Sequence, residues 1–167
     1  GVTRGIITEL NDEAELAALL GHEVGHVNAR HAAQRQGQAM VAQAAVVGIN
    51  VAARDSQWGA VAGLGGMIGA SALLASYSRD NEREADALGH EYIVRAGYPA
   101  DGMIRLHQLL VDQEKRTPSV LETMFATHPM STERRDTARQ LAETRYGASK
   151  GAIPQRERYM DNTAGVR

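Results

Sequence analysis

Apolar and polar positions follow a helical period along most of this chain. Asn11 or Asp12 is a good N-cap, and from there the pattern predicts a helix to about Gln36, with Gly37 as its stop. Leu16, Leu20, Val24 and Val27 form its bulky apolar stripe. Ala18, Gly21, Gly25 and Ala32 form a stripe of small residues. A mid-helix glycine costs about 0.8–1 kcal/mol relative to alanine, so two of them imply that another backbone approaches closely.

Further helices are predicted over 79–96, closed by Gly97, over 101–116, and from the cap Ser131 to about Tyr146. Thr127-His128-Pro129 must be loop, since proline restricts the residue before it. Only Gly1 to Ile7 reads as a strand, and long β-branched runs are absent. The expectation is a mainly α fold with a small N-terminal β segment. Residues 1–146 are expected to form the domain, lacking upstream elements, and 147–167 a polar tail ordered by docking.

Two stretches, 36–53 and 57–78, carry no charge and approach the length of a membrane span. Their glycines and Gln38, Gln43 and Asn50 argue instead for a buried pair of closely packed helices, with Arg54 and Asp55 in the turn. Gly1 to Leu10 lacks the basic start and apolar run of a secretory signal, and reads as the end of a strand entering a turn.

With 167 residues, 43% hydrophobic and 23% charged, the chain has the makeup of one globular domain. A net charge of -2 and only 4% aromatics point away from nucleic acid, which needs a basic surface and stacking platforms. There are no cysteines, which removes thiolate metal sites, disulfides and a cysteine nucleophile together. A metal would have to be held by His, Asp and Glu.

His22-Glu23-Val24-Gly25-His26 is H-E-x-x-H on a predicted helix. Residues four apart share a face, so two imidazoles can close on one zinc ion. Glu23 falls between that pair and the apolar stripe, a partly desolvated position suited to a general base. A catalytic zinc site needs a third protein ligand and an open fourth position. His31 is a poor candidate, because on a continuous helix it points about 140° away from His26 and reads as a surface histidine. Glu82 and Asp86, also four apart, offer one ligand and one supporting carboxylate that could accept the outer N–H of His22 or His26. His90 and His107 have no motif around them and read as structural or solvent-facing.

HEVGH followed by NEREAD and a T-H-P loop resembles the HtpX and CAAX-prenyl-protease family of zinc metallopeptidases, family M forty-eight, over roughly Val2 to Tyr146. Without clear membrane spans the chain is nearer the family's periplasmic, BepA-like branch. The resemblance implies a gluzincin-type endopeptidase with one zinc ion on His22, His26 and Glu82, Glu23 as base and Asp86 in support. It also implies that His128 and Arg134, in H-P-x-x-x-x-R, act near the scissile carbonyl, with Arg135 the adjacent alternative. The implied substrates are misfolded or misassembled cell-envelope polypeptides, in the bacterial periplasm or envelope. Contact with a membrane surface or with outer-membrane proteins is left open. Two rival functions are a chaperone-like quality-control module with a latent zinc site, and an interaction domain whose zinc is closed off by His128.

Overall fold

The computed structural model describes residues 2–56, 59–116, 128, 131–147 and 152–166. Within them lie seven helices: α1 (Arg4–Glu9), α2 (Glu13–Asn28), α3 (His31–Ala53), α4 (Gly59–Arg95), α5 (Asp101–Arg116), α6 (Thr132–Thr144) and α7 (Arg156–Thr163). No strand occurs among the described residues. The expected N-terminal β segment is thus overturned. A lone strand has no partner for its backbone groups, whereas a helical turn satisfies them internally. In α1 the Ile7 N–H donates to the Thr3 carbonyl, and the Thr8 hydroxyl donates to the Gly5 carbonyl. That turn brings Ile6 and Leu10, four apart, to one buried face.

The helix starts follow their caps. The Asp12 carboxylate accepts from the Glu15 N–H at 3.0 Å, and the Glu15 carboxylate accepts from the Asn11 N–H at 2.7 Å. Ser131 Oγ accepts from the Arg134 N–H. At the end of α4 the Tyr98 N–H reaches the Ile93 carbonyl and Gly97 takes φ +87°, the left-handed turn that glycine permits.

One helix boundary differs from the sequence expectation in a way that matters below. The helix begun at Glu13 ends at Asn28, not near Gln36. Arg30 adopts φ 55° and ψ 38°, and α3 starts afresh at His31 and runs straight through Gly37.

The chain forms two compact units, residues 1–25 with 83–167, and residues 26–82. The core of the first gathers Ile6 and Leu10, Leu19 of α2, Ile93 of α4, Met103 and Leu110 of α5, and Tyr159 of α7. Arg105 of α5 bridges to Asp12 at 3.0 Å, fastening α5 to the start of α2. In the tail, the Tyr159 hydroxyl donates to the Ile7 carbonyl at 2.6 Å and Arg158 pairs with Glu13.

The second unit is an antiparallel hairpin of α3 and the first part of α4, with Arg54 and Asp55 in the connection. Arg35 meets Ser78, and the ends of the Ile49 and Asn50 side chains come against Gly66 and Gly63. The two helices pair as expected, but they are not buried. Val41, Val51, Leu64 and Ile68 are all more than 60% exposed. Among the described residues, no helix is long and apolar enough to cross a membrane.

Candidate metal centre

Helix α2 buries its small residues together with Glu15, Leu19 and His22, and leaves Leu20 and Val24 of the predicted apolar stripe outside. Ala14, Ala18, Gly21, His22 and Gly25 face inward, while Leu20 and Val24 are 45% and 54% exposed. The reason is α4. A Cβ placed on Gly25 would lie 2.9 Å from the Ala85 carbonyl oxygen, and one placed on Gly89 would lie 2.7 Å from the His22 nitrogen. Such an approach leaves no room for larger side chains and brings the acidic face of α4 up to His22.

His22 Nδ1 donates to Asp86 Oδ1 at 2.9 Å, which leaves Nε2 to face away from the carboxylate. Asp86 also accepts from Arg134, at 2.7 Å from Nε and 2.7 Å from Nη2, and His107 Nε2 stands 3.4 Å away. Burial pushes the Asp86 carboxyl upward, but its hydrogen bonds with Arg134, His107 and His22 outweigh this and hold it well below the usual carboxylate range. The carboxylate is therefore charged and fully engaged.

On the same two helices, one turn further on, His26 Nε2 lies 3.2 Å from Glu82 Oε1. The second nitrogen of His26, Nδ1, lies 2.8 Å from His31 Nδ1. His128 turns its Nδ1 toward His22 Nε2 at 3.3 Å and its Nε2 toward Glu23 Oε1 at 3.5 Å. Taken together, His22, His26, Glu82 and His128 each offer one ligand atom, and these atoms all lie within 4.8 Å of one another.

These residues fit a zinc ion. Two donors bonded to one tetrahedral zinc at about 2.0–2.1 Å stand roughly 3.3 Å apart, close to the 3.2 and 3.3 Å found for His26–Glu82 and His22–His128. The donor set, imidazoles with one carboxylate and no thiolate, is that of hydrolytic zinc sites.

Asp86 is bonded to His22 rather than His26, which answers what the spacing left open. Arg134 is buried against Asp86, while Arg135 turns to Gln108 and Asp136, away from this cluster. His31, expected at the surface, is only 3% exposed. The helix break at Arg30 turns it back onto His26, so the 140° separation of a continuous helix does not apply. His107, read from the sequence as structural or solvent-facing, is 2% exposed and stands beside Asp86. Its signal was its register, four after Met103 and three before Leu110, on the buried face of α5. His90, four after Asp86, is likewise buried and faces Tyr146 at 5.0 Å between ring centres.

Along the exposed face of α2, Leu16, Leu20 and Val24 line an apolar groove of about 440 Å³ with Tyr92, Ile93 and Tyr98. The stripe flanking Glu23 is open rather than desolvated, and the Glu23 side chain is itself 30% exposed.

Comparison with known proteins agrees with this chemistry. The chain is 34% identical over 137 residues to the beta-barrel assembly-enhancing protease of Yersinia pestis, covering 79% of the chain and 28% of that protein. The protein of the same name from Escherichia coli (strain K12) is 30% identical over 140 residues, with the same coverage of 79% and 28%. Metalloprotease YcaL of Escherichia coli (strain K12) is 34% identical over 140 residues, covering 80% of the chain and 50% of YcaL. The chain thus spans 28% of the length of these two assembly-enhancing proteases and half of YcaL. No solved structure is significantly similar. Residues 1–142 match the family model described as Peptidase family M48, and the chain belongs to that family.

Proposed function

We propose that this chain is a gluzincin-type zinc endopeptidase domain, with the ion on His22, His26 and Glu82 and Glu23 as the catalytic base. The observation that carries this reading is the convergence of those ligand atoms beside the half-open carboxylate of Glu23. A zinc ion held there would supply Lewis acidity and would lower the pKa of a bound water toward neutrality. Glu23 takes the proton of the attacking water as it adds to the peptide carbonyl carbon, and returns it to the leaving amine nitrogen. Asp86 holds His22 in one tautomer, and Arg134 and His107 hold Asp86.

His128 and Arg134 are the proposed donors to the developing oxyanion. Arg134 commits Nε and Nη2 to Asp86, so donation to an oxyanion requires its side chain to rearrange. The assembly-enhancing proteases among the relatives support substrates among misfolded or misassembled envelope proteins, in the periplasm or at the envelope.

Chelation should abolish cleavage of an unfolded outer-membrane protein, and stoichiometric zinc should restore it. Elemental analysis should find one zinc per chain and none in His22→Ala. Cleavage that survives complete metal removal defeats the proposal.

A second reading follows from His128, which stands among the candidate ligands and turns its Nδ1 toward His22 Nε2. In it, His128 fills the position a water needs, and the structure is a latent state. His128→Ala separates the two roles: loss of an oxyanion donor lowers kcat about 100-fold or more, whereas loss of a latch raises turnover.

A further inference from the structure

His31 has no part in the ligand set, yet it is 3% exposed and its Nδ1 meets His26 Nδ1 at 2.8 Å. The rings meet edge to face, with centres 4.8 Å apart and planes at 77°. Two ring nitrogens at that distance share one proton, so one donates and the other accepts. His26 Nε2 is the nitrogen turned toward Glu82. If Nε2 gives its lone pair to an ion, the proton of a neutral His26 must sit on Nδ1, and His31 Nδ1 is the acceptor.

We propose that His31 is the positioning residue for His26, doing with an imidazole what Asp86 does for His22 with a carboxylate. The proposal rests on the zinc reading of His22, His26 and Glu82 given above. It explains the backbone at the helix break. Arg30, which is not a glycine, sits in the left-handed region, at a cost of about 1–2 kcal/mol, and this turn is what swings His31 back toward His26. A neutral imidazole is a weaker acceptor than a carboxylate, so the two ligand histidines are unequally polarised: His22 through a charged partner, His26 through an uncharged one.

The test is zinc affinity, measured by competition with a chromogenic chelator, for the wild type, His31→Leu and His31→Asn. Leucine keeps bulk without an acceptor, whereas the asparagine amide oxygen falls near the place of Nδ1. The expected result is a 10–100-fold weaker affinity for His31→Leu and recovery to within a few-fold for His31→Asn. Equal affinity in wild type and His31→Leu overturns the proposal, and so does equal weakening in both variants, which would mark a packing role. Absence of zinc binding by the wild type would overturn the metal reading itself. A measurement needing no variant is the nitrogen-15 spectrum of the zinc-loaded wild type. It should place the His26 proton on Nδ1, and a proton on Nε2 refutes the assignment.

Discussion

Gly21 and Gly89 meet backbone against backbone. A Cβ on Gly89 would lie 2.9 Å from the Gly21 carbonyl carbon and 2.7 Å from the His22 nitrogen. Both atoms belong to main chain and cannot swing aside. Gly89→Ala should therefore push α2 from α4 and cost about 1–3 kcal/mol of stability, as overpacking does. Because the strain falls on His22, zinc affinity should fall as well. Urea unfolding and chelator competition check both, and unchanged values in both would mean that the helices are free to separate.

Glu23→Gln preserves size and removes the proton acceptor. Loss of general-base assistance predicts a drop in kcat of about 100- to 10,000-fold. Zinc content should stay at one per chain, since Glu23 is not among the grouped ligand atoms. Cleavage of an unfolded substrate at the wild-type rate removes Glu23 from the mechanism.

Asp86→Asn leaves the buried guanidinium of Arg134 without its counter-charge. Breaking a buried pair in this way costs about 3–5 kcal/mol. The carboxyl is held well below its ordinary range, so its stabilisation is complete above that range and is lost only as pH falls through the lowered value. The variant should lie below wild type across neutral and mildly acid pH, and the gap should close only in strong acid. A variant as stable as wild type at pH 7 contradicts this.

His90 gives a separate acid response. Burial lowers its imidazole from 6.5 to about 4, against an opposing contribution from the Ala100 backbone. The unfolded chain takes up a proton below about pH 6.5 and the folded chain does not. Stability is therefore lost as pH falls from 6.5 toward 4, by on the order of 3 kcal/mol. His90→Phe, which keeps a ring beside Tyr146, should flatten the profile in that window. Denaturation midpoints at pH 7, 5.5 and 4.5 decide it, and parallel profiles for the two proteins would exonerate His90.

The spacings of the candidate site residues were legible in the sequence because their geometry is local. His22 with His26, and Glu82 with Asp86, each span one helical turn whatever the rest of the chain does. The same holds for α5, whose span 101–116 matches the pattern, and for the cap at Ser131. His31 was misplaced because a single residue, Arg30, leaves helical geometry with no glycine or proline to announce it. The N-terminal segment was misread because its apolar residues suit a strand, yet Ile6 and Leu10, four apart, equally suit one face of a short helix. Exposure of the bulky stripe on α2 was hidden for a related reason. Periodicity finds the apolar face, but which face is buried was set by how closely another backbone can approach. Thr127 and Pro129 of the expected loop lie outside the described residues.

The bond from the Tyr159 hydroxyl to the Ile7 carbonyl ties the last helix of the chain to the first. The family model matches residues 1–142, so a biochemist trimming to that boundary would discard a ring that is 1% exposed and shares its core cluster with Ile6 and Leu10. The shortened protein would carry a sticky wound at the edge of its core, and its poor behaviour in solution would be easy to mistake for a defect in the enzyme.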